Sequence, residues 1–383
     1  MDFELTEEQE LIRSTVREFA ETVLTPRARE MDEKAEFPWE EIKKMAEQGY
    51  LGAQIPKEYG GSELDSVSYA IMVEEISRAV CGIGLTLQIH NSACSQPINQ
   101  FGNEELKKKF LPRLAKGEII GAFALTEPGA GSDAQSLRTT ATPEGDEYIL
   151  NGSKIFITSG PVAGVALVFA ITPAESEEAK RKPISVFLVE KGTSGFSAGA
   201  KEDKMGMRAA INSELMFDEC RIPKENLLGK EGDGFRIAMT ILDSARIGAS
   251  AQAVGLAQAA LDEAVKYAKE RQQFNRPIAR FQAIQFMLAE MATQIEAARL
   301  LTYNAALLKD KGARFTKEVA MAKLYASKIC TQVVSNAVQI HGGYGYMKDY
   351  PVERYYRDAK VLEIYEGTSE VQRMVIAGQL LKS

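Results

Sequence analysis

The stretch "EIIGAFALTEP", residues 118–128, marks the place where the chain changes the spacing of its apolar residues. Before Gly117 the apolar side chains recur at three- and four-residue steps, which is typical of amphipathic helices. From residue 118 they alternate and include many β-branched types, which favours strands. The same pattern returns in "DEYILNGSKIFITSG", "VALVFAIT" and "PISVFLVEK", and helical spacing resumes at Gly234. The sequence therefore predicts a mainly α protein with a small, mostly antiparallel β domain in its middle.

The limits of these patterns divide the chain into three domains. We predict an N-terminal helical domain at 1–115, a middle β domain at 116–225 and a C-terminal helical bundle at 226–383. Capping and stop signals place the ends of the helices. The predicted helices begin at Thr6, Pro38, Val67 and Asn103 and end near Val23, Gly49, Val80 and Gly117, and in the bundle they span 234–272, 279–311 and 316–340.

Two further features fall in the β domain. The pair Asn151-Gly152 lies between two apolar alternations, and this pair is a strong signal for a type I′ hairpin turn. The charged run "ESEEAKRK", residues 175–182, has the composition of a solvated loop between strands. We therefore predict a hairpin at 151–152 and an exposed loop at 175–182.

Composition excludes several classes of function. The 383 residues carry a net charge of -7, which argues against a nucleic-acid partner, because phosphate binding needs a basic surface. No apolar run reaches membrane-spanning length, and the first residues, "MDFELTEEQE", are acidic, so we expect a cytoplasmic protein without a membrane partner. The four cysteines form no CxxC pair, so we expect buried thiols and no metal site. They are Cys81, Cys94, Cys220 and Cys330.

The usual catalytic and nucleotide-binding motifs are absent from the sequence. The two histidines lie outside hydrolase and zinc motifs, which leaves proton chemistry to a carboxylate. Neither a Rossmann nor a P-loop glycine pattern is present. Instead, "LTEPGAGSD", residues 125–133, places Gly129, Gly131 and Ser132 at a strand end, where amides and a hydroxyl suit an anionic ligand. An ordinary polar turn is the alternative.

Glu366 stands between Tyr365 and Gly367, just before the last predicted helix. An acidic residue at a helix entrance is also favoured by the helix dipole without any function. This stretch alone therefore leaves a catalytic role and a purely structural role open.

The order of the motifs resolves much of this ambiguity. "LTEPGAGSD", "KIFITSG", "RQQF", "QIHGGYGY" and "RDAKVLEIYEGTSEVQR" follow one another in the helix, sheet and bundle regions. Over essentially the whole chain this arrangement resembles the acyl-CoA dehydrogenase family, and it is most similar to the short-chain, butyryl-CoA type. The last motif is highly specific, the first nearly so.

The resemblance implies FAD as cofactor and an acyl-CoA as substrate. Glu366 would be the catalytic base that takes the Cα proton, while the flavin N5 takes the Cβ hydride. The thioester would contact Ser132, Asp243, Arg246 and Gly367. The flavin ring and pyrophosphate would contact Phe123, Leu125, Thr126, Gly131, Ser132, Phe156, Ile157 and Thr158, with Thr368, Ser369 and Glu370 completing the site. The adenine half, held across a subunit interface, would draw on Arg271, Gln273, Phe274, Phe281, Gln282, Gln339, Ile340, Gly342 and Gly343.

The resemblance also implies a homotetramer, a dimer of dimers, that passes electrons to an electron-transferring flavoprotein. Burial beneath the acyl chain is expected to raise the pKa of Glu366 towards that of its proton donor. Gly367 is expected to keep the turn open for the thioester carbonyl.

The sequence departs from the family pattern at several positions. Phe156 stands where many relatives carry Trp, and Ala245 occupies the position from which some branches supply their base. The segment "CGIGLTLQIHNSAC" has no Arg or Lys to pair with a distal carboxylate, which disfavours glutaryl-type substrates. In this segment we expect Gln88, His90 and Asn91 on an ordinary helix surface, with acyl-pocket lining as the alternative.

Two other functions compete with the dehydrogenase. An acyl-CoA oxidase would share the chemistry but usually has a much longer chain. A non-enzymatic helical scaffold would explain the bundle and leave both flavin motifs as accidents. The sequence does not specify the acyl group, the physiological direction or the electron acceptor.

Overall fold

The chain folds as helices, a central sheet and a helical bundle, in a computed structural model that describes residues 4–173 and 183–382. This confirms the mainly α fold with a middle β domain. The helices are α1 Glu7–Phe19, α2 Ala28–Lys34, α3 Trp39–Glu47, α4 Ser66–Ala79, α5 Cys81–Gln88, α6 Gln96–Phe101, α7 Glu104–Ala115, α8 Gly234–Glu270, α9 Gln282–Asp310, α10 Thr316–His341, α11 Val352–Ala359 and α12 Ser369–Leu380. The strands are β1 Gly121–Ala124, β2 Thr140–Glu144, β3 Glu147–Thr158, β4 Val165–Ile171, β5 Ile184–Glu190, β6 Phe196–Ala198, β7 Asn212–Pro223, β8 Leu227–Leu228, β9 Gln272–Gln273 and β10 Arg276–Pro277.

Local capping fixes the N-terminal helices that the sequence predicts. The amide of Gln9 donates to Thr6 Oγ1 at 3.2 Å, and the amide of Thr6 donates to Gln9 Oε1 at 3.1 Å, which completes the capping box of α1. Asn103 Oδ1 accepts from the Leu106 amide at 2.9 Å and caps α7. The sequence does not reveal α5 and α6. Every residue of α5 is buried, so no polar face marks its turns, and α6 has only six residues, too few to show a helical period.

The sheet is mixed and mostly antiparallel, with the order β6-β7-β3-β2-β4-β5-β8 and β1 parallel to β4. The predicted hairpin at Asn151-Gly152 is wrong, because β3 runs through both residues. Gly152 instead lies at a bulge opposite β7, where a Cβ atom would stand 2.6 Å from Thr139 Oγ1. The two-residue loop between β2 and β3 is Gly145-Asp146. The predicted loop at 175–182 lies outside the described residues.

The C-terminal bundle rests on α8, which has 37 residues and is about 55 Å long. It packs against α4, α9 and α10, and the three long helices match the predicted stretches closely. One apolar core runs from α7 through β4 and β5 into this bundle. The four cysteines are free and buried, as expected. Within residues 4–173 and 183–382 no helix is long and apolar enough to cross a bilayer.

A π-helix at Ile89–Ser95, continuous with α5 and α6, packs the helical domain against strand β1 of the sheet. The expectation of helix surface for His90, Asn91 and the preceding Gln88 is wrong, because all three are fully buried. His90 Nδ1 accepts from the Gly121 amide at 3.2 Å, and Nε2 lies 3.1 Å from the Leu114 carbonyl. A neutral ring satisfies both bonds, and burial lowers the pKa of His90 to about 4.

This histidine makes the stability of the protein depend on pH. The unfolded chain takes up the His90 proton near pH 6.5, whereas the folded chain does so near pH 4. The stability due to the neutral ring is therefore complete above the higher value and is lost as the pH falls through this window. We expect His90→Gln, which keeps one donor and one acceptor, to flatten this loss. Urea unfolding of both proteins from pH 7 to 4.5 measures it, and equal slopes would contradict it.

Candidate active site

Glu366 and Gly367 form a left-handed turn immediately before α12. Their φ angles are +54° and +92°, and a Cβ atom at position 367 would lie 2.7 Å from Gln372 Nε2. Only glycine fits this backbone without strain. The next residue, Thr368, caps α12 by accepting from the Val371 amide at 3.2 Å.

Three buried donors from three helices hold the carbonyl groups of this turn. Arg246 Nε, from α8, donates to the Glu366 carbonyl at 3.1 Å. Gln372 Nε2, from α12, donates to the carbonyls of Glu366 and Gly367 at 3.2 and 2.9 Å. Lys323 Nζ, from α10, donates to the Gly367 carbonyl at 2.7 Å. Because an isolated φ > 0 residue is unfavourable outside glycine, these bonds explain how Glu366 is kept in that conformation.

The Glu366 carboxylate points into the interior. Its Oε1 accepts from Gln88 Nε2 at 3.3 Å, and the same amide donates to the Ala245 carbonyl at 3.0 Å. Oε2 is buried and has no hydrogen-bond partner among the described residues. Burial raises the pKa of Glu366, although Arg246, Lys323 and the Gln88 hydrogen bond act in the opposite direction. A carboxylate with a raised pKa and a free buried oxygen is suited to accept a proton from a bound molecule.

Three of the four predicted substrate residues meet at this turn. Arg246 Nη1 donates to Asp243 Oδ1 at 2.8 Å, and Asp243 Oδ2 accepts from Thr316 Oγ1 at 2.7 Å. Gly367 lies beside Arg246, as described above. Ser132 is exposed in the loop after β1, and no hydrogen bond or ion pair among the described residues joins it to the other three.

A buried ion pair links the two motifs of the β domain. Lys154, from β3, donates to Glu127 Oε1 at 2.6 Å, and both side chains are almost completely excluded from solvent. Glu127 also accepts from the amides of Arg138 and Thr139 at 2.6 and 3.0 Å. The lysine and these donors hold the pKa of Glu127 below its usual range. The pair therefore fixes "LTEPGAGSD" against "KIFITSG".

The predicted ring and pyrophosphate contacts gather around this pair. Phe156 has φ +60° and a side chain that is 60% exposed, so an apolar ring faces outward from β3. Pro128 and Gly129 form a tight turn that is closed by backbone hydrogen bonds between Glu127 and Ala130 at 3.1 and 3.0 Å, and Gly131 is exposed just after it, with neither glycine left-handed. The side chains of Leu125 and Ile157 belong to the apolar cores and can offer only their backbones. Phe123 and Thr126 are half-buried, and Thr158 is buried at the end of β3.

The predicted adenine-side residues gather at a second place, where α8 ends and α9 begins. Phe274 and Asn275, with φ of +53° and +61°, form the turn between β9 and β10, and the Phe274 ring is 87% exposed. Arg271 stacks on Tyr344 at 5.5 Å, which brings "RQQF" next to "QIHGGYGY". Phe281 lies edge-on to Phe274 at 6.0 Å. Gln273, Gln282, Gln339, Gly342 and Gly343 are exposed there, whereas the Ile340 side chain is buried. No described hydrogen bond or ring contact connects this group to the β-domain group.

Family models match the chain in three consecutive parts. Residues 6–118 match the N-terminal domain of acyl-CoA dehydrogenase, residues 122–220 its middle domain, and residues 232–381 its C-terminal domain. The chain belongs to the acyl-CoA dehydrogenase family. Members of this family are flavoprotein oxidoreductases that act on acyl-CoA substrates, so the expected enzyme class is confirmed.

Individual members of the family are similar over their full length. The short-chain specific acyl-CoA dehydrogenase of Clostridium acetobutylicum is 52% identical over 100% of both chains. Acryloyl-CoA reductase (NADH) of Anaerotignum propionicum is 52% identical over 100% of this chain and 96% of its own length.

Solved structures show the same likeness. Butyryl-CoA dehydrogenase from Megasphaera elsdenii has a TM-score of 0.96 at 48% identity, with both chains fully covered. A structure described as the electron transferring flavoprotein of Acidaminococcus fermentans has a TM-score of 0.97 at 52% identity, again with full coverage of both. Glutaryl-CoA dehydrogenase from Mycobacterium smegmatis in complex with FADH2 has a TM-score of 0.93 at 31% identity, covering 99% of this chain and 96% of its own.

The residues present fit a flavin nucleotide. The outward ring of Phe156 offers a flat apolar contact, and the exposed amides and hydroxyl of residues 131–132 offer donors to an anion. Arg271 and the exposed Phe274 ring offer a cation and an aromatic face. When bound, a flavin supplies a two-electron acceptor for hydride.

Sequence reasoning missed three residues that shape the Glu366 site. Gln88 is expected from the sequence on helix surface, with acyl-pocket lining as the alternative, and nothing in the last motif marks Gln372. Lys323 had a signal, because it falls on the buried stripe of α10 with Val319, Ala326 and Cys330. A lysine in an otherwise apolar stripe indicates a buried cation that is paired with another group.

Proposed function

We propose that this chain oxidises a short-chain acyl-CoA thioester to the 2-enoyl-CoA, with Glu366 as the base that takes the Cα proton. The observation that carries the proposal is the buried, unpartnered Oε2 of Glu366 on a carboxylate whose pKa is raised. The proton leaves as H⁺ to this oxygen, and the Cβ hydrogen leaves with its electron pair to FAD, so the substrate loses two electrons in total.

The short-chain assignment is supported by the relatives and by the crowding near the base. Similar proteins are named short-chain specific and butyryl-CoA dehydrogenases. Gln88, which donates to Glu366, packs so closely on α8 that a Cβ on Gly248 would lie 2.5 Å from its Cγ. Gln88 Oε1 and the Tyr69 hydroxyl are also buried without partners among the described residues, and unpartnered buried polar groups are unfavourable next to a long apolar chain.

Anaerobic titration with a panel of saturated acyl-CoAs tests this function. We expect bleaching of the flavin with short chains such as butyryl-CoA and little with long chains, because similar proteins are named short-chain specific and butyryl-CoA dehydrogenases. Bleaching only by long chains would contradict the substrate class. Rapid hydrogen peroxide formation in air would favour an oxidase, and a colourless protein that takes up no flavin would favour a scaffold. Since one relative is a reductase, 2-enoyl-CoAs are added to the reduced protein to compare the two directions.

The cofactor, assembly and partner follow from the same family. The family and the FADH2-bound neighbour support FAD, and the neighbour described as an electron transferring flavoprotein supports that class of electron acceptor. We propose a homotetramer because the two groups of predicted flavin contacts are separate within one chain. A cytoplasmic location remains a prediction from composition.

We expect the protein to purify as a yellow homotetramer with one FAD per chain. We expect Arg271→Ala to weaken FAD binding by about 10- to 100-fold, the value of a charge-assisted hydrogen bond. Turnover per bound flavin is expected to change little, because Arg271 is remote from Glu366. Equilibrium dialysis measures the FAD content and affinity, and sedimentation measures the assembly. The exposed Arg280→Ala is the matched control. A monomer that holds stoichiometric FAD, or an Arg271→Ala protein with full FAD and no turnover, would contradict these assignments.

A further inference from the structure

The charge of Lys323 is not needed to satisfy the backbone carbonyls of the Glu366 turn. The neutral Gln372 already donates to both carbonyls of the turn. Arg246 also donates to the Glu366 carbonyl, so Lys323 adds a fourth bond, to the Gly367 carbonyl, from a side chain that is 1% exposed. Burying an ammonium group is unfavourable unless an opposite charge compensates it. The position of the charge therefore needs a reason beyond the hydrogen bond.

Glu366 is the carboxylate that compensates the buried charge of Lys323, because the other carboxylates nearby are paired with other cations. Asp243 is taken by Arg246 at 2.8 Å. Glu363 is paired with Lys360 at 2.7 Å, and Glu370 with Arg373 at 3.3 Å, both near the surface. Among the carboxylates of the described residues that raise the pKa of Lys323, Glu366 has the largest effect.

We propose that Lys323 is a positioning residue for the Glu366 base: its Nζ holds the Gly367 carbonyl, and its charge keeps the buried carboxylate ionised. The inference rests on the proposed function, because it concerns the same base. The lysine contacts the turn and not the substrate, so it acts through Glu366.

The charges around the base set the expected pH dependence. Glu366 is faced by Arg246 from α8, Lys323 from α10, Tyr69 from α4 and its neighbour Tyr365. Burial lowers the pKa of Lys323 to about 8, so this lysine is a cation at acidic pH. A nearby cation lowers the pKa of a carboxylate. Removing it therefore raises the pH at which Glu366 becomes able to accept a proton.

Two variants separate the charge from the hydrogen bond. Lys323→Gln keeps a donor for the Gly367 carbonyl and removes the charge, whereas Lys323→Met removes both. For both we expect the acidic limb of the pH profile of flavin reduction to move to higher pH by about 1 unit. Above that limb, Lys323→Gln should reach nearly the wild-type rate and Lys323→Met a lower one. Lys328→Met is the matched control, because Lys328 is an exposed lysine on the same helix.

The experiment measures butyryl-CoA-dependent flavin reduction by anaerobic stopped flow between pH 5 and 9, with FAD content determined for each variant. Isotope-edited infrared titration, with Glu366→Gln as the blank, reads the carboxyl protonation directly and needs no turnover. If the acidic limb of the pH profile stays at the wild-type pH in a folded, FAD-loaded Lys323→Gln protein, the inference is overturned. The Lys323→Gln variant alone decides the test if Lys323→Met does not fold. If Glu366→Gln reduces its flavin at the wild-type rate, the proposed function itself fails.

Discussion

Glu366→Gln is expected to bind acyl-CoA and to reduce its flavin about 10²- to 10⁴-fold more slowly than the wild-type protein, the range for loss of a positioned general base. The amide keeps the size of the side chain and an oxygen that can accept from Gln88. It removes the oxygen that takes the Cα proton. Stopped-flow reduction measures the rate, and the spectral change on mixing with acyl-CoA measures binding. Reduction near the wild-type rate would show that another residue carries the proton.

A base placed at a second position makes this test sharper. Ala245 is fully buried, and Gln88 bridges its carbonyl to the Glu366 carboxylate, so both positions share one neighbour. Ala245→Glu in a Glu366→Gly background is expected to restore part of the lost rate, with an altered chain preference. Restoration should be incomplete because the groups around Ala245 do not support a buried carboxylate. Ala245→Gln in the same background is the control and should restore nothing.

Glu127→Leu is expected to lower the free energy of unfolding by about 3–5 kcal/mol, the range for breaking a buried ion pair. The change leaves Lys154 buried without its counter-charge and removes the acceptor of the Arg138 and Thr139 amides. Lys154→Met should be less harmful, because Glu127 keeps both amide donors. Urea unfolding with FAD in constant excess measures each value, since bound ligand changes apparent stability.

The double variant Glu127→Leu with Lys154→Met separates charge from backbone effects. It contains no unpaired charge, so its loss should be smaller than the sum of the single losses, and the difference gives the coupling energy. Glu144→Gln is the matched control in the same sheet, because its pair with Arg221 at 3.3 Å is exposed and is worth less than about 1 kcal/mol. Additive single losses would mean that the two residues stabilise the motifs independently.

Local patterns predicted most of the fold because they depend on neighbouring residues alone. Capping at Thr6 and Asn103, period-two strands and the long helices of the bundle all appear where the sequence places them. The pair Asn151-Gly152 misled because its turn signal is also what a bulge requires. Glycine is needed at position 152 because Thr139 packs closely against it, and this contact cannot be recognised from the neighbouring residues in the sequence.

The candidate site was predictable only in its parts. The segment with Glu366 and Gly367 stands out in the sequence, and Gln372 of α12 lies close to it in the chain, but the other groups that hold it come from α5, α8 and α10, more than 40 residues away. A buried polar partner such as Gln88 is indistinguishable from a surface residue until the packing is known, whereas Lys323 is marked by its place on the apolar stripe of α10. The role of each predicted contact stays a prediction.

The π-helix at Ile89–Ser95 has a consequence for how this enzyme can change over evolutionary time. Residues before it, such as Gln88, face the base, and residues within it, such as His90, face the sheet. A π-turn contains one residue more than the α-turn that it replaces. Loss of a single codon here would therefore restore an α-turn and leave the helices on either side in the same rotation, whereas the same loss from a regular α-helix rotates one side by about 100° relative to the other. The π-helix is thus a place in this wall of the site where the length of the chain can change without turning the helix away from either the sheet or the base.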